Sequence, residues 1–109
     1  MTSEKLLFAA VSEDIAEVRR ILSQKLQGYK VRVYLFGSRV KGQARKSSDL
    51  DVALLPLEPL PLGIIAEIRE ALEESHVPFE VDIVDLSEVD PDFRERILSE
   101  GVPWNVFGS

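Results

Sequence analysis

Three short segments with strand composition constrain the fold more than any other feature of this sequence. They are rich in β-branched, aromatic and aliphatic residues, and they run from Val31 to Phe36, from Leu50 to Leu55 and from Phe79 to Val84. Because so few strands cannot bury both faces of a sheet by themselves, helices have to pack on them. The sequence therefore predicts an α/β domain with a small mixed sheet and helices packed mainly on one face, and it leaves the strand order open.

The segments around these strands carry apolar residues at helical spacing. An amphipathic helix is expected from Ser12 to Gln27, and a second from Gly63 to Ser75. Asp90-Pro91 places an N-cap acid before a proline at the first helical position, which predicts a last helix that stops at Gly101. We expect all of these elements to form one domain over residues 1–109.

Composition excludes several classes of site. The chain of 109 residues has no cysteine, so disulfides and thiol nucleophiles are excluded, and with His76 as its single histidine it cannot build a histidine-based zinc cluster. We expect His76 to be an inert surface residue. No apolar run approaches ~18 residues and the N-terminus lacks the layout of a signal peptide, so a cytoplasmic protein without a membrane segment is expected.

Charge is distributed unevenly along the chain. The net charge of −6 disfavours wrapping a long nucleic acid without excluding one. From Arg39 to Ser48, however, the chain carries four cationic residues and no acid: Arg39, Lys41, Arg45 and Lys46. This cationic loop is either an ordinary solvated loop or a site for a small polyanionic ligand.

Gly37-Ser38 directly follows the first predicted strand. Glycine permits a sharp turn and the close backbone approach that a phosphate needs, and a short helix starting at Ser38 would offer free N–H groups to an anion. Turn chemistry alone also explains such a pair.

Acidic residues occur at the start of the second strand and within the third. Asp49 and Asp51 are two apart, so their carboxylates point to one face of a strand. Two such charges repel unless a cation separates them, and Mg²⁺ or Mn²⁺ is the natural occupant. Asp82 could complete a three-carboxylate metal site if its strand pairs with the second strand; an exposed aspartate is the alternative.

Two other acids of the third strand are assigned differently. Asp85 has the opposite parity to Asp82 and, with Glu88, fits a turn or capping role. Glu80 lies on the same face as Asp82 but nearer the strand start, and it is kept in reserve as a ligand. Trp104, near the C-terminus, is expected either to pack on the core or to contact a partner.

Gly37-Ser38, ten residues, and then Asp49-x-Asp51 resembles the G-S-x10-D-x-D signature of the DNA polymerase β-like nucleotidyltransferases. The run GSRVKGQARKSSDLDVALL looks like the minimal nucleotidyltransferase (MNT) branch, and VDIVDL and ERILSEGVPW extend the resemblance over nearly the whole chain. The resemblance implies that Gly37 and Ser38 hold the β- and γ-phosphates of a nucleoside triphosphate. It also implies that Arg39 contacts phosphate.

By the same resemblance, Asp49 and Asp51 would coordinate two divalent metal ions, Mg²⁺ or Mn²⁺, and Asp82 would ligate the catalytic one. The MNT branch resembles the antitoxin half of toxin–antitoxin pairs with HEPN-domain proteins. An enzyme that transfers AMP from ATP to a HEPN partner is the function that the resemblance implies. A binding module that neutralises its partner by contact, and the catalytic subunit of a two-part enzyme for a small molecule or RNA, remain alternatives.

Overall fold

The computed structural model describes residues 12–37 and 50–107. Within these ranges it contains the helices α1 (Ser12–Leu26), α2 (Ile64–Glu73) and α3 (Pro91–Glu100) and the strands β1 (Val31–Phe36), β2 (Leu50–Pro56), β3 (Val81–Asp85) and β4 (Val102–Pro103). The short helix expected after Ser38 lies outside the described residues.

The four strands form one mixed sheet in the order β3-β2-β1-β4. β1 pairs antiparallel with β2 and with β4, whereas β2 and β3 run parallel. β3 can be parallel to β2 because α2 carries the chain back to the same end of the sheet. The predicted α/β class with a small mixed sheet is confirmed.

The main core lies between one face of this sheet and the helices α1 and α2. Alternate residues of β1 and β2 are buried there, as the period of two in a strand requires. Helical residues at a spacing of three or four complete it: Val18, Leu22 and Leu26 from α1, and Ile64, Ile68 and Leu72 from α2.

α3 covers part of the opposite face. A smaller core forms there around Ala53, Leu86 and Ile97, with half-buried Tyr34 and Val84 among the side chains packed against it. β2 is therefore buried on both sides, which explains its uninterrupted apolar run from Val52 to Leu55. Two of the described helices share one face and one takes the other, in agreement with the prediction that helices lie mainly on one side.

β4 is the element that the sequence did not predict. It has two residues, one of them a proline, so it carries no periodic pattern. Register alone defines it, with Val102 opposite Leu35. Trp104 follows it, donates its backbone N–H to the Val33 carbonyl at 2.8 Å and packs, half-buried, on the main core. Of the two expectations for Trp104, packing on the core is therefore confirmed.

Several helices and strands are shorter at one or both ends than the sequence predicted. α1 ends at Leu26 because Gly28 adopts a left-handed conformation with φ of 88°, and α2 begins after Gly63, which has the same φ of 88°. α2 ends at Glu73 instead of Ser75, and β3 begins at Val81 instead of Phe79. Apolar composition marked these segments well but did not locate their ends.

The N-cap predicted at Asp90 is confirmed. Its Oδ1 accepts hydrogen bonds from the backbone N–H groups of Asp92 at 2.8 Å and Phe93 at 3.4 Å, and Pro91 occupies the first helical position. This cap fixes the start of the helix that covers the smaller core. Among the described helices, none combines the length and the apolar character needed to cross a membrane.

Replacing the cap should lower stability without altering the fold. We expect Asp90→Ala to reduce the free energy of unfolding by about 1 kcal/mol, because it leaves two N–H groups of α3 without their acceptor. For a domain of this size that corresponds to a fall in Tm of about 4–8 °C. Asp90→Asn is the matched control, since its side-chain oxygen keeps the cap. Equal urea midpoints for the alanine and asparagine variants would contradict the assignment.

Candidate functional site

The parallel pairing of β2 and β3 places Asp51 opposite Asp82 in register. Neighbouring strands lie about 4.8 Å apart, and residues directly opposite in a ladder point to the same face. The two carboxylates therefore project side by side. Asp51 is half-buried and Asp82 is exposed, so the pair lies at a solvent-facing position of the sheet.

The same face carries the smaller core two residues further along. Ala53 and Val84 form the next pair on this face after Asp51 and Asp82, and they pack beneath α3. The carboxylates consequently stand where the apolar surface ends. Packing of the adjacent pair holds the two strands in place, while Asp82 is exposed and Asp51 half-buried.

Gly37 lies against the carboxylate of Asp51. It follows Phe36, which is the partner of Asp51 in the β1–β2 register, and it has a φ of 86°. A Cβ placed on Gly37 would stand 2.0 Å from Oδ2 of Asp51, much closer than any real contact. Glycine is therefore required at this position for two reasons: the backbone is left-handed, and the neighbouring carboxylate leaves no room for a Cβ.

Asp85 does not belong to this group. Its Oδ1 accepts hydrogen bonds from the Ser87 backbone N–H at 2.9 Å and from the Ser87 hydroxyl at 2.6 Å. The Asp85 carbonyl also accepts from the Glu88 N–H at 3.0 Å. The turn role predicted for Asp85 is confirmed.

Glu80, the reserve ligand, immediately precedes β3 and is exposed. Its carbonyl accepts a hydrogen bond from the Leu50 N–H at 2.8 Å, which extends the pairing of the two strands back past Asp82. Metal binding by its carboxylate stays a prediction.

The remaining predicted site residues lie in residues 38–49, outside the described part of the chain. They are Ser38, Arg39 and Asp49, together with the other cations of the loop. Among the described residues no group of three or more metal-binding side chains occurs. The predicted triad includes Asp49, which lies outside them. The structure thus brings together Gly37, Asp51 and Asp82, and two carboxylates on one face are an oxygen donor set that suits a hard divalent cation.

One contact beside this site was not predicted. Arg69, exposed on α2, donates from Nη2 to the backbone carbonyl oxygen of Ile83 at 2.9 Å. Ile83 directly follows Asp82. Arg69 lies on the exposed side of an amphipathic helix, and no side-chain pattern reveals a partner that is a main-chain carbonyl in a distant strand.

Comparison with known proteins places this chain among nucleotidyltransferases. The chain is 45% identical over 86 residues to a Haemophilus influenzae protein named "Probable protein adenylyltransferase MntA", and the match covers 79% of this chain and 74% of that protein. A solved structure assigned as a minimal nucleotidyltransferase is 29% identical, with a TM-score of 0.59 and coverage of 94% of this chain and 97% of that one.

A third similarity concerns the fold. A chain from the structure of a tri-AMPylated Shewanella oneidensis HEPN toxin in complex with an MNT antitoxin superposes with a TM-score of 0.62 at 21% identity. The match covers 90% of this chain and 72% of that one.

The family model described as polymerase beta nucleotidyltransferase matches residues 17–103, a stretch that contains Gly37, Asp51 and Asp82. With this match and the MntA relative, the chain belongs to the polymerase β nucleotidyltransferase family.

Proposed function

We propose that this protein transfers AMP from ATP to a HEPN-domain partner protein and thereby acts as an antitoxin. The observation that carries the proposal is the register that sets Asp51 opposite Asp82, beside Gly37. The naming of the MntA relative as a protein adenylyltransferase supports AMP as the transferred group. The AMPylated HEPN toxin found in complex with an MNT antitoxin supports a HEPN protein as the acceptor.

In the proposed site, Asp49, Asp51 and Asp82 hold divalent metal, with two Mg²⁺ or Mn²⁺ ions as the expected complement. When bound, the metal neutralises phosphate charge and activates the attacking oxygen. The chain's own acids supply the counter-charge: opposed carboxylates repel one another, so the pair favours a bound cation. Gly37 and Ser38 bind the β- and γ-phosphates, and Arg39 contacts phosphate, for which a guanidinium is better suited than an ammonium group.

The reaction needs positioning and charge neutralisation more than covalent help from the protein. An oxygen of the acceptor bonds to the α-phosphorus of ATP while the bond between that phosphorus and the bridging oxygen breaks. Pyrophosphate leaves, and the proton of the acceptor hydroxyl is released to water. The exposure of Asp82 gives a protein acceptor access to the face where these steps occur.

Loss of either described carboxylate should abolish transfer. With labelled ATP, Mg²⁺ and a HEPN-domain protein as the acceptor, we expect Asp51→Asn and Asp82→Asn to slow labelling at least about 100-fold, because each removes charge from the metal site. Circular dichroism checks that the variants fold.

Asp85→Asn is the matched control for these variants. It changes an aspartate of the same strand whose Oδ1 serves a turn, and asparagine keeps that acceptor. Wild-type labelling by Asp85→Asn is expected. Undiminished labelling by Asp82→Asn, or no labelling by the wild type, would refute the proposed site or the proposed reaction respectively.

Gly37→Ala should impair the site by displacing a neighbour. The new methyl group would meet Oδ2 of Asp51 at 2.0 Å, so we expect labelling to fall at least about tenfold, the cost of a carboxylate moved away from its metal. Gly28→Ala is the control: its φ of 88° imposes the same backbone strain, but nothing lies within 4 Å of the added carbon. An equal loss of labelling in the two variants would show that backbone strain, and not the contact with Asp51, causes the loss.

Neutralisation by contact is the second candidate function. Val102 and Phe107, 47% and 45% exposed, leave apolar surface near the C-terminal end of the described chain, which a partner could cover. Co-expression with the toxin separates the candidates. The transferase predicts that Asp51→Asn loses protection of the cell, and a contact inhibitor predicts that protection persists.

A further inference from the structure

β3 is the terminal strand of the sheet, and β2 is its single neighbour among the described strands. Leu50 donates its N–H to the Glu80 carbonyl, and Leu86 donates its N–H to the Leu54 carbonyl, each at 2.8 Å. The even-numbered residues of this segment therefore direct their backbone groups towards β2. The odd-numbered residues, including Ile83, direct theirs to the open edge, where none of the described strands pairs with them.

Arg69 reaches this open edge from α2. Its Nη2 donates to the Ile83 carbonyl at 2.9 Å. The preceding residue, Ile68, is fully buried in the main core, and the Ile83 side chain is buried in the same core. α2 thus holds Ile83 in two directions, by apolar packing through the side chain and by a charge-assisted hydrogen bond to the main chain.

We propose that Arg69 is a positioning residue for Asp82. The residue whose carbonyl it binds directly follows Asp82, so the hydrogen bond fixes the strand from the side that β2 does not support. The direction of the Asp82 carboxylate relative to Asp51, and with it the affinity of the pair for a divalent cation, depends on this support. The inference rests on the proposed function in taking Asp82 as a metal ligand.

The sign of the expected effect separates positioning from simple electrostatics. Removing a positive charge near two carboxylates would by itself strengthen the binding of a cation. Positioning predicts the opposite, because a displaced Asp82 binds less well. Lysine keeps the charge and can donate a hydrogen bond, whereas methionine keeps only the apolar stem.

The test compares Arg69→Met and Arg69→Lys with the wild-type chain by calorimetric titration with Mn²⁺ alone. Loss of a group that holds a metal ligand typically costs tenfold or more in affinity, and Arg69 acts through one intervening peptide, so we expect the Mn²⁺ dissociation constant of Arg69→Met to rise about threefold to tenfold. Arg69→Lys should recover part of this loss. Arg20→Met is the matched control: it removes an arginine that is ion-paired with Glu17 within α1.

Hydrogen exchange provides a second measurement that needs neither metal nor catalysis. In Arg69→Met the amides of β3 should exchange faster, by about threefold to tenfold, while those of β1 remain as in the wild type. In the labelling assay the Mg²⁺ concentration for half-maximal transfer should rise, with the rate at saturating Mg²⁺ unchanged.

Wild-type Mn²⁺ affinity in Arg69→Met, or faster exchange spread evenly over the chain, would overturn the positioning role. So would a wild-type chain that binds no Mn²⁺. A wild type that binds Mn²⁺ but transfers no label would instead refute the proposed reaction, and the titration and exchange results would still decide the role of Arg69.

Discussion

The parallel pairing of β2 with β3 is the constraint on which the site depends. Register in a sheet has a period of two, so a slip of one residue would send Asp82 into the main core and Ile83 to the surface. Burial of Ile83 against α2 makes that slip costly. The same apolar contacts that stabilise the sheet therefore determine that the two carboxylates meet.

Like charges held side by side oppose folding unless something offsets them. Here apolar packing beside the acids contributes the compensating stability. Ala53 and Val84 lie next to the carboxylate pair on the same strands and are covered by α3. A rigid backbone with accessible acids is the arrangement that metal-assisted phosphoryl chemistry requires, because positioning has to be achieved before the ligands arrive. Gly37 contributes by letting the end of β1 approach the Asp51 carboxylate.

Much of this could be predicted from the sequence, for identifiable reasons. Period-two patterns gave the parity that separates Asp82 from Asp85, and Asp90-Pro91 gave the start of α3. β4 could not be found, because two residues carry no periodicity and their pairing with β1 depends on tertiary contact. The hydrogen bond of Arg69 could not be predicted for a related reason: its partner is a backbone carbonyl, which every residue possesses.

Anomalous scattering from Mn²⁺ tests the central claim most directly. Crystals grown with Mn²⁺ and a non-hydrolysable ATP analogue should show a peak about 2–2.5 Å from carboxylate oxygens of both Asp51 and Asp82. A peak within coordination distance of one carboxylate alone, or located elsewhere on the chain, would contradict the claim that Asp51 and Asp82 coordinate one cation together.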